Sequence, residues 1–205
     1  MRGKRKVMDQ YLIVVAGLPG TGKTTAARKL DEGLERYVLI DQSEVRRKHG
    51  MTRMSRSEKK HNAVFTDINI KIGKSLRGGR GVIIDAVNRY SWRRHQYYGI
   101  ASSSNGTKVL ALECVCSEKI AKKRIRSRPG KDGLLSDPND VKVYDHLRDS
   151  WDDIGDDFGH EGGYAGTNFV SYIKYDSVKN SIERKKVVKG MGNFVRKVES
   201  LLKRD

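Results

Sequence analysis

The sequence predicts an α/β protein: three α/β/α layers built on a mainly parallel sheet of five strands, with a small lid. Three observations carry that prediction. Short apolar runs alternate with stretches whose apolar residues recur every three or four positions, the pattern of strands joined by crossover helices. The first run, Tyr11 to Ala16, is apolar throughout, as for a strand covered on both faces. Glycines separate it from the first helical stretch, so the chain turns sharply there.

The elements follow in order. Residues 1–10 carry Arg2, Lys4, Arg5 and Lys6 and read as a loose basic arm; residues 11–205 read as a single domain. From about Lys23, the spacing of Ala26, Ala27, Leu30 and Leu34 predicts a helix. Tyr37 to Ile40 is the second strand, ended by Asp41. Residues 44–77 read as largely helical, with a loop around Gly50 to Ser55. Ala63, Ile68, Ile70, Ile72 and Leu76 are the apolar candidates of the second half, and Gly78 and Gly79 close it. Gly81 to Ile84 is the third strand, again ended by an acid, Asp85. A helix near 91–104 precedes the strand Lys108 to Val115. Ser117 reads as the N-cap of a helix running to Arg128, closed by Pro129. Residues 130–140 read as loop, so that about 117–140 forms the lid. Val141 to Trp151 reads as a helix and 155–168, with five glycines, as a long connection. Phe169 to Tyr175 is the last strand, and 181–202 the C-terminal helix, with a break at Gly190 to Gly192.

Charge is lopsided. Forty-two basic residues face 25 acidic ones, a formal net charge of +17, which attracts polyanions such as nucleic acids and nucleotides. A lysine- and arginine-rich background would give the same number. Cys114 and Cys116 match neither a redox pair nor a zinc site; they read as buried free thiols of a reducing compartment, and a cytoplasmic protein is expected. No stretch approaches a membrane span. No feature of the sequence sets an oligomeric state.

Gly17-Leu18-Pro19-Gly20-Thr21-Gly22-Lys23-Thr24 matches G-x-x-x-x-G-K-[ST], a P-loop, between an apolar strand and an amphipathic helix. Glycines let backbone N–H groups wrap a phosphate, and the helix that starts there adds its N-terminal dipole. Lys23 supplies a point charge to the outer phosphates of ATP, and Thr24 a hydroxyl to Mg2+. Asp85, after Val82-Ile83-Ile84, stands where a Walker B acid would hold that metal through water; a turn or helix-cap aspartate is the plainer alternative. Asp41 ends the neighbouring run, and in an open parallel sheet ligands lie beyond the carboxyl ends of the strands. It is a candidate for taking the acceptor's proton, with a cap as its alternative. Arg46, Arg124 and Arg128 are candidates for bracing the phosphoryl group. Arg124 and Arg128, four apart, share a helix face; Arg126 lies off it.

Four blocks together resemble a known group. They are GLPGTGKTT at 17–25, which ends in Thr25, IDQSEVR at 40–46, GVIIDAVNRYSWRR at 81–94, and ECVCSEKIAKKRIRSR at 113–128 with SDPND at 136–140. The chain resembles the P-loop kinases related to polynucleotide 5′-hydroxyl kinase, zeta toxin and adenylylsulfate kinase, over roughly residues 11 to 150. The resemblance implies an adenylate-kinase-like core, a magnesium–ATP donor and transfer of the γ-phosphate to a hydroxyl. It implies that Asp85, Asn88 and Arg89 line the site, that Asp41, Ser43 and Arg46 face the acceptor, and that Arg124 and Arg128 reach the phosphates from the lid. One departure stands out. The nucleic-acid kinases of the group carry their basic aspartate three residues before the arginine of the second block, where this chain has Ser43. Asp41 is the replacement the sequence favours; Glu44 reaching in, or a weak or altered activity, are the others.

The acceptor follows from where the charge lies. Lys119, Lys122, Lys123, Arg124, Arg126, Arg128 and Lys131 crowd the lid, and Arg184, Lys185, Lys186 and Lys189 a later stretch. Arg89, Tyr90, Trp92, Arg93, Arg94, Tyr97 and Tyr98 interleave bases with aromatics, which suits stacking on nucleobases or ordinary core packing. The first expectation is a kinase of a nucleic-acid 5′-hydroxyl, RNA or DNA. The second is a small-molecule kinase with a nucleotide, sugar or adenylylsulfate-like acceptor. The third is a nucleic-acid-binding ATPase or switch without kinase chemistry.

Overall fold

The computed structural model describes residues 10–51, 57–127, 141–158 and 167–204. The chain order is β1 (Tyr11–Ala16), α1 (Lys23–Gly33), β2 (Tyr37–Asp41), α2 (Gln42–Lys48), α3 (Glu58–Arg77), β3 (Gly81–Asp85), α4 (Ser91–Ser103), β4 (Lys108–Val115), α5 (Glu118–Arg126), α6 (Val141–Asp149), β5 (Val170–Asp176), β6 (Ser181–Lys186) and α7 (Gly192–Leu202). The sheet order is β2-β3-β1-β4-β5-β6. The first five strands run parallel and β6 antiparallel. Crossovers on both sides of β1 put its carboxyl end at the point where the strand order reverses, the place where open α/β sheets bind ligands.

Alternation along each strand sorts the core into two layers. Leu12, Val14, Val82, Ile84, Val109 and Ala111 meet α2, α3 and α4. Ile13, Val15, Ile83, Leu110 and Leu112 meet α1 and α7. The second layer is tight: a Cβ on Gly33 of α1 would lie 2.2 Å from a Leu201 methyl of α7, so only glycine lets the two helices approach so closely.

Three elements depart from the sequence reading. Residues 181–186 form a sixth strand, not the first turns of the C-terminal helix. The Asp176 carboxylate accepts the N–H groups of Val178 and Lys179 at 2.9 and 3.0 Å, and Asn180 adopts φ 50°. That closes a tight turn and folds the chain back onto β5. The new strand is an edge, and its Arg184, Lys185 and Lys186 suit one. In α3 the buried stripe is Val64, Ile68, Ile72 and Leu76, while Ile70 is 48% exposed; a spacing of four leaves no room for it. In α4 the face made by Arg94, Tyr97, Tyr98 and Ala101 is core, so half of the mixed basic–aromatic stretch is interior. No helix among the described residues is long and apolar enough to cross a membrane.

Candidate active site

The phosphate loop takes its shape from three glycines with positive φ: Gly17 at 146°, Gly20 at 82° and Gly22 at 93°. These are angles that side chains resist. Space excludes side chains too. A Cβ on Gly20 would sit 2.5 Å from the carbonyl of Ala121, so α5 rests directly on the loop. Thr21 folds the loop by donating its hydroxyl to the Leu18 carbonyl at 2.8 Å, and Lys23 Nζ donates to the same carbonyl at 2.9 Å. Helix α1 begins with no side-chain cap and no acid in its first turn. Its first N–H groups and its dipole are therefore left to an anion.

Asp85 is 6% exposed, at the end of β3. Burial pushes its carboxyl above the usual carboxylate range; a hydrogen bond from the Thr24 hydroxyl and the nearby Lys23 ammonium pull the other way, and Asp41 adds to the rise. A buried acid held above its ordinary pKa beside an ammonium and a hydroxyl is an incomplete charge arrangement that a cation would complete. The donor set suits magnesium, which takes one or two protein oxygens and fills its remaining positions with phosphate and water. Among the described residues no group of three or more His, Cys, Asp or Glu side chains could hold a metal by itself.

Asp41 pairs in register with Asp85 across β2 and β3. It also caps α2, its Oδ1 accepting the N–H of Ser43 at 2.7 Å. The cap and a place beside Asp85 are thus not alternatives, because the cap engages one of two carboxylate oxygens. Glu44 is exposed on α2. Arg46 is half-buried, its Nε has no hydrogen-bond partner, and burial lowers its pKa.

Arg124 reaches across from α5, donating to the Gly20 carbonyl at 3.1 Å and to Ser177 Oγ at 2.9 Å. Gly20, Gly22, Thr25, Arg124, Tyr175 and Ser177 line a cleft of about 390 Å³ beside the loop. Ser177 and Tyr175 carry no motif, and β5 is distant in sequence from the loop; only the fold brings them here. Arg128 lies outside the described residues, as does the whole stretch 130–140. The basic helix α5 is in part neutralised. Lys122 pairs with Glu118 and Asp145 at 2.5 and 2.8 Å, and Arg148 with Glu118 at 3.0 Å. Lys122 of α5 therefore meets Asp145 of α6 and Arg148 of α6 meets Glu118 of α5, so one of the bases of α5 is already paired with acids.

Asn88 lies in the loop after β3, with φ 51°. It is 7% exposed and its amide donates to the Val15 carbonyl at 2.7 Å. Gly17 N donates to Val87 O at 3.2 Å. These bonds fasten the post-β3 loop to the phosphate loop, so the Asn88 amide serves the frame. Arg89 donates to Ser150 Oγ at 2.8 Å and to the Tyr90 hydroxyl at 2.6 Å. Behind them Arg94 and Asp157, both fully buried, form a two-point ion pair with both contacts at 2.7 Å. Arg94 also donates to the Asn88 and Arg89 carbonyls at 3.0 and 2.9 Å, and Ser91 and Tyr98 donate to Asp157 at 2.7 and 3.1 Å. Burial pushes the Tyr98 phenol well above its ordinary value, and the charged Asp157 beside it pushes it further. The sequence left the stretch holding Arg94 open between base stacking and core packing; Arg94 is core, and it is the anchor of this wall.

Cys114 is buried, and burial pushes its thiol up to about 12. Cys116 is half-buried beyond the strand, its Sγ 3.8 Å from the Gly20 carbonyl. Both thiols are free, as the sequence predicts, although only one is fully enclosed.

The comparisons agree with this geometry. An AAA domain model matches residues 12–148. No curated protein sequence matches the chain. A gluconokinase from Sinorhizobium meliloti 1021 shares the fold at a TM-score of 0.52 and 15% identity, covering 95% of this chain and 92% of that one. A kinase structure from Chloroflexus aurantiacus J-10-fl does so at 0.51 and 22%, covering 58% and 67%. A chain of a Pnkp1/Rnl/Hen1 complex does so at 0.51 and 18%, covering 56% of this chain but 38% of its own length. This chain thus spans well under half of that last relative.

Proposed function

The chain belongs to the AAA domain family, and from that premise we propose that it is an ATP- and Mg2+-dependent kinase that transfers the γ-phosphate to a hydroxyl, the 5′-hydroxyl of a nucleic acid before any other. The observation that carries this reading is the meeting of Thr24, Lys23 and Asp85 at one point, with Asp41 in register beside it. When bound, magnesium–ATP supplies the phosphoryl group and part of its counter-charge; the rest falls to the chain. Lys23 neutralises the outer phosphates. Thr24 and Asp85 hold the metal. Arg124, docked on the loop from α5, adds positive charge where negative charge develops. Asp41 takes the proton from the attacking hydroxyl through its second oxygen, the first remaining in the α2 cap. Arg46 orients the acceptor from the same helix. Residues 11–205 act as one domain, with the lid at about 117–140 and a basic arm at 1–10.

A nucleic-acid acceptor is supported by the net charge of +17 and by the basic and aromatic surface that starts at Arg89. A small-molecule acceptor is the second reading, favoured by the near-complete overlap with a gluconokinase. The test is transfer of label from γ-labelled ATP to a 5′-hydroxyl oligonucleotide, run beside sugars, nucleotides and adenylylsulfate. Label in the oligonucleotide bears the proposal out. Label in small molecules alone moves the acceptor to the second reading. Release of free phosphate alone would leave an ATPase and refute the kinase.

A further inference from the structure

The surface that begins at Arg89 takes no part in holding the phosphates, yet it is highly organised. The Arg89 guanidinium lies 4.3 Å over the Tyr90 ring. The Tyr90 and Trp92 rings stack at 6.0 Å with 21° between their planes. The Arg93 guanidinium lies 4.2 Å over Trp92 and 3.5 Å over Phe65 of α3. Cations and rings thus form one contiguous row of five side chains, in which the Tyr90 and Trp92 rings are offset rather than face to face. The helical period explains it: Arg94, Tyr97 and Tyr98 turn to the core, so Trp92 turns away from it, and Arg93, one turn before Tyr97, lies half-buried at the rim of that face. Trp92 is 45% exposed, a large ring left facing water beside the Arg93 guanidinium.

The stack shares the carboxyl edge of the sheet with the phosphate site. Arg89 follows Asp85 by four positions, and the intervening loop is pinned to the phosphate loop through Val87 and Asn88. The buried Arg94–Asp157 pair holds the carbonyls of Asn88 and Arg89 in place. The platform is therefore rigid at the end nearer the chemistry.

We propose that Arg89, Tyr90, Trp92, Arg93 and Phe65 form a base-stacking platform for single-stranded nucleic acid, which lays the strand's 5′ end toward the phosphate site. The direction of the strand rests on the reading of the acceptor as a 5′-hydroxyl; the stacking does not. Unpaired bases stack on aromatic faces and on guanidinium planes alike. Guanidinium groups add attraction for the phosphates between them. A duplex keeps its base faces internal and has nothing to offer the exposed Trp92 ring.

The test uses the full chain and a 3′-fluorescein strand of about 12 nucleotides with a free 5′-hydroxyl, within the span of common single-strand sites. Affinity is read by anisotropy. Trp92→Ala should weaken binding roughly 10- to 100-fold, the scale of one lost base–aromatic stack. Trp92→Phe should stay within about threefold of the parent, because a phenyl ring still stacks. An abasic strand of the same length should bind the parent as weakly as the base-bearing strand binds Trp92→Ala. Equal affinity of parent and Trp92→Ala, or of abasic and base-bearing strands, overturns the platform. Labelled ATP added to the same samples separates the two proposals. Trp92-dependent binding without transfer refutes the nucleic-acid 5′-hydroxyl as acceptor and keeps the platform; transfer with Trp92-independent binding does the reverse.

Discussion

The two walls of the site are built in opposite ways. The phosphate wall is almost entirely local: Gly17 to Thr24 make their own turns, and the hydrogen bonds of Thr21 and Lys23 close within the loop on Leu18. The facing wall, the loop after β3, has no such self-sufficiency. It is held by Arg94, whose partner Asp157 lies 63 residues away, and by Asn88, whose acceptor Val15 lies 73 residues away. The first wall uses backbone groups that any chain has, in a geometry that glycine permits. The second uses a buried charge pair, which is costly to bury and costlier to break. Losing a residue of the first wall should therefore remove chemistry and spare the fold, whereas losing an anchor of the second should loosen the fold first.

The largest effect that would sharpen this contrast comes from Lys23→Ala. Transfer should fall by about 10³-fold or more, the scale of removing a preorganised charge from a phosphoryl-transfer site. Melting temperature should barely move, and oligonucleotide affinity should stay nearly intact. A protein that loses transfer, binding and stability together would show that the phosphate wall is structural after all. Asp41→Asn comes next. Asparagine keeps an oxygen for the Ser43 N–H and loses the base, so single-turnover transfer should drop by about 10²-fold with the α2 cap preserved. Unchanged turnover would move the base elsewhere, Glu44 being the first alternative.

Arg94→Met addresses the other wall. It strands Asp157 in the interior, though Ser91 and Tyr98 still donate to it. The cost should fall at the low end for a broken buried pair, about 3 kcal/mol, or roughly 6–12 °C in Tm for a chain of this size. Adding Asp157→Leu should recover part of the loss, since an apolar pair can replace a buried ionic one. A melting point unchanged by Arg94→Met would remove the contrast between the walls.

The smallest effect concerns Asp85. Its carboxyl is raised by burial, so between the unfolded value and the raised one the folded state holds a proton that the unfolded state has already released. Whatever stability this group contributes is present below the unfolded carboxylate pKa and is lost as pH rises through the raised value. Nucleotide-free Asp85→Asn should therefore melt slightly higher than the parent at neutral pH, with the difference vanishing in acid, while its magnesium-dependent transfer collapses. Melting curves between pH 4 and 8 check the sign; a lower melting point for Asp85→Asn at neutral pH would contradict it.

Much of the fold was legible in the sequence because strand and helix periods are local. The apolar runs at 11–16, 37–41, 81–85 and 108–115 are strands, and the glycine loop is where its spelling placed it. β6 was not legible. Its charged residues suit a helix surface and a sheet edge equally, and the Asp176–Asn180 turn decides between them through contacts that a periodicity does not contain. The same limit applies to Arg94 and Asp157. One belonged to a mixed basic–aromatic stretch and the other to the glycine-rich connection at 155–168, and neither residue type announces a partner 63 positions off.

What the sequence by itself determined is the phosphate loop, the order of strands and helices around it, and the placing of acids at the ends of β2 and β3. All of these depend on residues that are neighbours in the chain. What only the tertiary structure decided is which charges meet. It set Lys122 of α5 against Asp145 of α6, brought Ser177 to the phosphate loop from the turn after β5, buried Arg94 with Asp157, and left Trp92 exposed against Arg93. The reason is physical: backbone geometry is set over a few residues, but the energy of a charge or a ring depends on what surrounds it, and those surroundings come from parts of the chain that meet only when it is folded.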